Sequence, residues 1–332
     1  MHIPSTLLGL ALPILSAVQP AAAQQPNMKR GLCYVPNKDY PQDNYVWTRP
    51  VSPLSWYYNY GPEPSVVFNN ISQDKFEFVP MLWGAPKDPS DTTFLDTVRD
   101  LMNKKKVNIT HVLTFNEPDG PNSYGGSDVQ PAFAARVWIK NIIPLQEMGV
   151  KAGLPAPTGG WGGIPWLNQF LGNCSNLISE GGSKKNCTFD FVPIHWYGNF
   201  GGLASHIGTY AAAFPGKKMW VTEYNLNDQP LDQTQDFVKM SMEYMDRIAD
   251  VERYSLFAAF RSHKSNVGPN ASMLSAGGQL TDIGAMYLDK SATGVLPQTG
   301  GTSDAPSGRC SSGALRKATV IAGVVGILAL AF

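Results

Sequence analysis

The sequence predicts a single α/β domain, a (β/α)8 TIM barrel, and three observations lead to this prediction. An apolar run typical of a strand, a turn rich in Gly, Pro or Asn and a helical pattern recur along the chain. Eight such units occupy about 260 residues, which is the usual size of this barrel. No Gly-x-Gly-x-x-Gly sequence follows the first strand, where the competing doubly wound sheet would be expected to carry one.

The eight candidate strands are short runs dominated by apolar and aromatic residues. In chain order they cover residues 31–35, 55–59, 76–82, 110–115, 150–154, 189–196, 218–224 and 254–260. Between most of them, apolar residues repeat every three or four positions, as on one face of a helix. The clearest of these helices are predicted at 92–106, 131–148 and 232–249.

The two ends of the chain are predicted to be processing signals outside the folded domain at 28–294. Residues 1–23 contain an apolar run followed by three alanines, as in a secretory signal peptide. Residues 295–317 form a flexible linker of small and polar residues, and 318–332 are apolar. This order is typical of a glycosylphosphatidylinositol (GPI) signal, whose attachment site would lie in the linker. A tail-anchored helix is the alternative, but fifteen apolar residues are short for a membrane span.

Composition and charge narrow the range of partners. Lys and Arg together number 26, as do Asp and Glu, so the formal charge is zero. A neutral chain is a poor match for nucleic acid or for an acidic membrane surface. We expect a secreted monomer at the cell surface or in the cell wall, which touches a membrane only through the GPI anchor. Five Asn-x-Ser/Thr sequons fit this location: Asn70, Asn108, Asn173, Asn186 and Asn270.

Four cysteines are present, and an oxidising compartment allows them to form disulfides. Cys174 and Cys187 lie in one polar stretch rich in Gly, Ser and Lys, which we interpret as a loop, and they are predicted to pair. Cys33 lies inside an apolar run and is predicted to be a buried free thiol. Cys310 follows the candidate attachment positions and would leave with the tail.

The ends of the predicted strands carry polar and aromatic residues. In a barrel the carboxyl ends of the strands meet at one pocket, where catalytic residues lie. These positions hold Asn59, Trp83, Asn116, Glu117, His195, Trp196, Tyr197, Glu223, Tyr224 and Asn225. Glu117 and Glu223 each follow an apolar run, where a charge is costly unless it is paired or used. Two carboxylates that face one another across an aromatic pocket are the arrangement that glycoside hydrolysis needs.

The two carboxyl groups would need different environments. One must stay protonated to donate to the leaving oxygen, so burial or a nearby negative charge must raise its pKa. The other must stay ionised to attack or stabilise the anomeric carbon. Flat aromatic faces suit the apolar patches of sugar rings, although packing against the barrel is their alternative role. The candidates are Trp56, Trp83, Trp161, Trp166 and Trp196.

Four motifs together resemble glycoside hydrolase family 128, a fungal group of alkali-sensitive-linkage-like β-1,3-glucanases in the retaining clan A of (β/α)8 hydrolases. They are FNEPDG, HWYG, WVTEYN and KRGLCYVPN, and the resemblance covers roughly residues 28–290. It implies that the substrate is β-1,3-glucan, as polysaccharide or oligosaccharide. It also implies that Glu117 is the acid/base and Glu223 the nucleophile.

The resemblance extends to the sugar subsites. It implies that Asn116 contacts the 2-hydroxyl of the bound sugar and that His195 and Tyr197 lie in the subsites, with Tyr197 near the nucleophile. One departure concerns strand eight, which ends in AAFRSH where many clan A enzymes have a Trp. The floor of that subsite and the role of Arg261 are therefore left open.

Each motif has a plainer alternative. Asn-Glu-Pro alone is also typical of a helix start, and a single buried His such as His195 more often forms a hydrogen bond in the core. The pair of carboxylates with HWYG between them favours the functional interpretation. No Cys/His spacing predicts a metal site, and no cofactor is expected.

The leading hypothesis is a retaining endo-β-1,3-glucanase that acts on fungal cell-wall β-1,3-glucan. A noncatalytic β-glucan-binding wall protein and a β-1,3-glucan transglycosylase are the alternatives. Hydrolysis and transfer share the same glycosyl-enzyme intermediate, so the sequence does not separate them.

Overall fold

A computed structural model describes residues 28–49 and 52–300, and these ranges contain eight strands, seven α-helices and five short 3-10 helices. The predicted signal peptide (1–23), the predicted apolar tail (318–332), Cys310 and the part of the linker beyond residue 300 lie outside the described residues. No helix within the described ranges is long and apolar enough to cross a membrane.

The strands form three small parallel sheets, so the predicted α/β fold with parallel strands is confirmed. The first sheet contains β1 (Gly31–Cys33), β2 (Trp56–Tyr58) and β3 (Glu77–Phe78), and the second contains β4 (His111–Val112) and β5 (Lys151–Ala152). The third contains β6 (Phe191–Tyr197), β7 (Lys218–Asn225) and β8 (Val251–Tyr254). Most strands are shorter than predicted. In β3 the reason is Pro80, which cannot donate a ladder hydrogen bond.

Three isolated parallel bridges link these sheets. They connect β3 to β4, β5 to β6, and β8 to the residue before β1. The paired residues are Met81 with Leu113, Gly153 with Phe191, and Arg30 with Tyr254. These bridges lie at or just beyond the ends of the named strands.

Strand eight differs most from its prediction. The structure places β8 at residues 251–254 rather than 254–260, and the AAFRSH segment follows outside the strand. Two charged residues, Glu252 and Arg253, interrupt the apolar pattern of β8, which is why the pattern did not reveal it. Both charges have partners, because Glu252 accepts a 2.7 Å hydrogen bond from the Trp220 indole and Arg253 forms a 2.6 Å ion pair with Glu77.

A helix follows each strand from β3 onward. The helices are α1 (Thr93–Asn103), α2 (Pro131–Asn141), α3 (Ile143–Glu147), α4 (Gly163–Ser179), α5 (Phe200–Ala213), α6 (Leu231–Arg247) and α7 (Asp282–Tyr287). The single helix predicted at 131–148 is divided into α2 and α3. Pro144 has no backbone N–H to donate to the preceding turn, so one continuous helix is interrupted there.

Apolar side chains form two buried clusters on the two faces of the strands. The smaller one, which we call the inner cluster, contains Cys33, Trp56, Tyr58, Val79, Met81, Leu113, Phe191 and Trp220. The larger one fills the space between the strands and the helices. Trp56 and Tyr58 face the inner cluster and Tyr57 faces the larger one, as the two-residue period of a strand requires.

The predicted disulfide joins Cys174 to Cys187, with Cα atoms 5.6 Å apart. Cys174 lies in α4, however, and not in a loop as predicted. The bond ties the end of α4 to the segment that leads into β6, across a sequence separation of 13. Closing a loop of this length restricts the unfolded chain and stabilises the fold by about 3 kcal/mol. Cys33 is a buried free thiol, as predicted.

The five sequons differ in their surroundings. The side chains of Asn70, Asn108 and Asn186 are exposed. Asn173 lies within α4, where its amide donates to the Gln169 carbonyl, and the Asn270 amide donates to the carbonyl of Gln229. The amide nitrogen that would carry a glycan thus has a protein partner in these last two sequons.

Candidate active site

Glu117 lies in a tight turn beyond β4. Its backbone N–H donates to the Ala156 carbonyl at 2.7 Å, and its own carbonyl accepts from the Gly120 N–H at 2.9 Å. The φ angle of Glu117 is +41°, in the left-handed region that non-glycine residues rarely adopt. Gly126 packs so closely that a Cβ there would lie 2.7 Å from the Glu117 carbonyl oxygen. The surrounding backbone therefore holds Glu117 in a strained conformation, as is common at functional sites.

Glu223 lies on the face of β7 that carries the inner cluster, and a bulge in β7 places it there. Trp220 points into the inner cluster, so strict alternation would turn Glu223 toward the helices. The pairing instead passes from Ile194 with Val221 to His195 with Glu223, which leaves Thr222 as an extra residue and reverses the alternation. Glu223 is consequently only 5% exposed.

His195 connects the two carboxylates. Its Nδ1 atom lies 3.0 Å from Glu117 Oε1 and 3.6 Å from Glu223 Oε2. One oxygen of each carboxylate and one imidazole nitrogen all lie within 4.8 Å of one another. His195 is 1% exposed, so these charges interact with little screening by water.

Burial and neighbouring charges shift the pKa values of both Glu117 and His195. Burial raises the pKa of Glu117, the hydrogen bond and charge of His195 oppose that rise, and the charges of Glu223 and Asp119 add to it. The net pKa of Glu117 lies above its ordinary value. Burial alone would lower the pKa of His195, but the charge of Glu223 and the hydrogen bond to Glu117 raise it. A proton is therefore readily held on the Glu117 side of the site.

Two tyrosines donate to Glu223. The Tyr197 hydroxyl lies 2.6 Å from Oε2 and the Tyr60 hydroxyl lies 2.8 Å from Oε1. Burial raises the pKa of both phenols well above the ordinary value, with the charge of Glu223 contributing. Both hydroxyls thus remain protonated donors, and hydrogen bonds of this kind stabilise the ionised carboxylate.

Tyr60 was not among the predicted site residues. It lies two positions beyond β2, in a loop, and the strand-end pattern singled out Asn59 instead. The signal that could have found it is the two-residue period, because Trp56 and Tyr58 both face the inner cluster and Tyr60 continues that series. Asn59 turns to the local backbone, donating to the Glu63 carbonyl and accepting from the Gly61 N–H.

Glu117, His195 and Glu223 are also the residues in the described ranges that could jointly hold a metal ion. Their atoms already have protein partners, since Glu223 accepts from two phenols and Glu117 shares a hydrogen bond with His195. These hydrogen bonds account for the arrangement without an ion.

Three other predicted residues differ widely in exposure. Trp83 is partly buried against the inner cluster, and its carbonyl accepts from the Asn116 N–H at 2.8 Å. The Asn116 amide donates to the Gly125 carbonyl, while its Oδ1 atom is buried without a partner. Trp161 is 95% exposed in the glycine-rich loop before α4. These three side chains can offer an aromatic face or a hydrogen-bond acceptor.

The remaining strand-end predictions are not brought to the carboxylates. The Trp196 indole donates to the Asn199 carbonyl and packs against His206. Tyr224 is fully buried in the larger cluster, against Phe237. Asn225 is also fully buried, and its amide donates to the Phe257 carbonyl. Trp196 and Tyr224 alternate with His195 and Glu223 along their strands, so they face the helices.

Two of the proposed aromatic platforms and Arg261 have structural roles. Trp56 is fully buried, stacked on Tyr58, and the Trp166 indole donates to the Val129 carbonyl. Arg261 forms two hydrogen bonds to the carboxylate of Asp43, at 2.6 and 2.9 Å. This contact ties the segment after β8 to the turn after β1.

The chain is similar to known glycosyl hydrolases. A family model described as the glycosyl hydrolase catalytic core matches residues 31–287. The alkali-sensitive linkage protein 1 of Schizosaccharomyces pombe is 29% identical over 268 residues, which cover 78% of this chain and 44% of the relative. The chain thus spans less than half the length of this curated relative.

Solved structures of glycoside hydrolase family 128 share the mixed α/β fold. A curdlan-specific exo-β-1,3-glucanase of subgroup III from Blastomyces gilchristii, in complex with glucose, has a TM-score of 0.61 and 25% identity. The alignment covers 80% of this chain and 99% of that one. An endo-β-1,3-glucanase of subgroup II from Pseudomonas viridiflava also has a TM-score of 0.61, 25% identity and coverage of 80% and 99%.

Proposed function

The chain belongs to the glycosyl hydrolase catalytic core family, within glycoside hydrolase family 128, and on this basis we propose that it is a retaining endo-β-1,3-glucanase acting on fungal cell-wall glucan. The facing pair of Glu117 and Glu223 is the observation behind this proposal. Oxygens of the two carboxylates lie within 4.8 Å of one another, around His195. Retaining glycosidases place their carboxyl groups roughly 5–5.5 Å apart and inverting ones about 6.5–9.5 Å apart, so the distance supports the retaining scheme.

The environments of the two carboxylates support different roles. Glu117, whose pKa is raised, donates its proton to the leaving glycosidic oxygen while Glu223 attacks the anomeric carbon. This step breaks the bond to the leaving sugar and forms a glycosyl ester on Glu223. Glu117, now ionised, then takes a proton from water as the water oxygen attacks the same carbon, which frees Glu223.

The substrate contacts proposed for this scheme use the side chains that remain available. Trp83 and Trp161 would stack against sugar rings, and the unpartnered Oδ1 atom of Asn116 would accept a hydrogen bond from the sugar 2-hydroxyl. Trp161 stands free of other side chains, so it suits a chain segment that extends beyond the carboxylates.

We also propose that the eight strands close into a (β/α)8 barrel and that the protein acts as a monomer. The isolated bridge between Arg30 and Tyr254 supports closure, because it joins the first strand to the last. Closure would bring the carboxyl ends of β4 and β7 to one pocket.

A product profile on linear β-1,3-gluco-oligosaccharides tests the proposed function. An endo-acting hydrolase yields several shorter oligosaccharides at once, whereas an exo-acting enzyme releases one small sugar from a chain end. Products longer than the substrate would indicate a transglycosylase. Binding without any new product would support the noncatalytic alternative and contradict the proposal.

The cell-surface location is proposed from the order of the linker and the apolar tail. We expect phosphatidylinositol-specific phospholipase to release the protein from membranes, because a GPI anchor is its target. Truncation after residue 302 should abolish retention at the cell surface. A protein that resists the phospholipase and retains a tail peptide containing Leu328 would show that the tail is not removed.

The pH dependence of activity should respond to His195. The acid works only while Glu117 is protonated, so activity falls as pH rises through its pKa. His195 lowers that pKa, so His195→Ala should raise it and move the alkaline limb of the kcat/KM profile to higher pH. His195→Asn keeps a neutral donor and should move the limb less. An alkaline limb that moves to lower pH in His195→Ala would contradict the assignment of Glu117.

A further inference from the structure

We propose that Cys33 and Tyr60 form a positioning relay for Glu223, in which the thiol orients the Tyr60 hydroxyl and the hydroxyl holds Glu223 Oε1 through both reaction steps. This inference rests on the proposed role of Glu223 as the nucleophile. Tyr60 touches the reacting carboxylate, whereas Cys33 acts only through Tyr60.

The relay is a continuous chain of short contacts. Cys33 Sγ lies 2.8 Å from the Tyr60 hydroxyl oxygen, which lies 2.8 Å from Glu223 Oε1. The three residues come from β1, from the loop after β2 and from β7. Cys33 is 1% exposed and belongs to the inner cluster, so the thiol has a fixed position beneath the site.

The protons can be assigned along this chain. Tyr60 has one hydroxyl proton, and Glu223 needs it, because an ionised carboxylate only accepts hydrogen bonds. The Tyr60 oxygen must therefore accept from Cys33. Burial and the charge of Glu223 raise the pKa of the Cys33 thiol well above its ordinary value, so the thiol keeps the proton that it donates.

A second tyrosine, Tyr58, also lies beside the Cys33 thiol. The neighbouring Tyr58 hydroxyl donates its proton to the Thr222 carbonyl at 3.0 Å. That bond fixes the backbone just before Glu223, while Tyr60 fixes its side chain. The short 2.8 Å contact of the thiol is with Tyr60, so the relay assigns the thiol proton to Tyr60 and the Tyr60 proton to Glu223.

The relay also distinguishes the two oxygens of Glu223. Oε2 lies 3.6 Å from His195 Nδ1, on the side of Glu117, whereas Oε1 is bonded to Tyr60 above the inner cluster. Oε2 also accepts from Tyr197 at 2.6 Å, but it lies on the side of Glu117. The relay therefore assigns Oε2 as the oxygen that forms the bond to the anomeric carbon as the bond to the leaving oxygen breaks. Oε1 becomes the carbonyl oxygen of the glycosyl ester, and it can still accept from Tyr60.

The conformation of Tyr60 fits a positioned residue. Its φ angle is +61°, in the left-handed region, which costs free energy for a non-glycine side chain. Asn59 holds the turn on both sides, through the Glu63 carbonyl and the Gly61 N–H.

Steady-state kinetics on laminarin, a soluble β-1,3-glucan, test the relay with a double-mutant cycle. Tyr60→Phe and Cys33→Ala should each lower kcat and leave KM nearly unchanged, because the contacts lie behind the carboxylate. For Cys33→Ala we expect a loss of about threefold to tenfold, as for one hydrogen bond. Cys33→Ser keeps a donor and should recover most of kcat. In the Tyr60→Phe background, Cys33→Ala should have no further effect on kcat.

Val79→Ala is the matched control, since Val79 is fully buried in the inner cluster and has no polar side-chain atom. It should lower thermal stability and leave kcat unchanged. If Cys33→Ala does not fold, Cys33→Val removes the same donor and carries the same comparison. The relay is overturned if the loss from Cys33→Ala persists in the Tyr60→Phe background, or if Cys33→Ser is no better than Cys33→Ala. A wild-type protein that does not cleave laminarin would overturn the proposed function instead.

Discussion

Glu223→Gln is expected to lower kcat on β-1,3-glucan by about four orders of magnitude or more, as when the nucleophile of a covalent mechanism is removed. Gln is almost the same size as Glu, and its single carbonyl oxygen can still accept from one of the two phenols of Tyr60 and Tyr197. An amide is a very poor nucleophile, and the glycosyl ester cannot form. Release of reducing ends from laminarin measures the loss.

The covalent intermediate gives an independent readout of the same variant. A β-glucoside with fluorine at C2 and a good leaving group reacts in the first step and is hydrolysed slowly in the second. Mass spectrometry should detect one added glycosyl group on the wild type and none on Glu223→Gln. Glu243→Gln, a change at an exposed position on α6, removes the same charge and should behave like the wild type. Labelling of Glu223→Gln would show that another residue is the nucleophile.

The anomer released first tests the retaining scheme as a whole. Two displacements restore the β configuration of the substrate, whereas one direct displacement by water gives the α configuration. NMR spectra recorded early in the hydrolysis of a soluble β-1,3-glucan distinguish the two. An α-configured first product would mean that Glu223 activates water and that both proposed roles are wrong.

Glu117→Gln should separate the two chemical steps. Loss of the general acid should lower kcat on laminarin by about 100-fold to 10,000-fold, the usual contribution of acid–base catalysis. Aryl β-glycosides with good leaving groups need no proton, so the first step should stay fast. The second step should stall because no base activates water. The expected result is a rapid burst of the aryl alcohol followed by slow turnover.

Azide can replace water in the second step, because an anionic nucleophile needs no base. It should speed turnover of the aryl glycoside by Glu117→Gln and yield a β-glycosyl azide. It should have no such effect on Glu223→Gln, which forms no ester. An aryl glycoside that reacts as slowly as laminarin in Glu117→Gln, with no burst, would argue against Glu117 as the acid.

Local patterns in the sequence were enough to locate most elements and both carboxylates. The apolar runs before Glu117 and Glu223 mark buried strands, and the polar residue at the end of each is visible without any structure. Strand eight was predicted too far toward the C-terminus because Glu252 and Arg253 look like solvent-exposed residues. Their partners, Trp220 and Glu77, lie far away in the chain.

The pairing of β6 with β7, rather than the local sequence pattern, determines which way the side chains at the strand ends point. HWYG and TEYN present several polar or aromatic residues in a row, and only every second one faces the carboxylate site. The bulge at Thr222 decides which ones, and it depends on the register between β6 and β7. Trp196 and Tyr224 were therefore predicted in the site although they pack toward the helices.

Residue type and spacing along the chain determine where strands and helices form, because these elements depend on interactions between near neighbours. They also single out Glu117 and Glu223 as candidate catalytic residues, since a carboxylate directly after a buried strand is rare. Contacts between distant residues are different in kind. Tyr60 contacts Cys33, which is 27 positions away in the sequence, and Glu223, which is 163 positions away. No local sequence pattern predicts either contact. The folding of the sheet brings them within 2.8 Å, and the hydrogen bonds that position Glu223 exist only there.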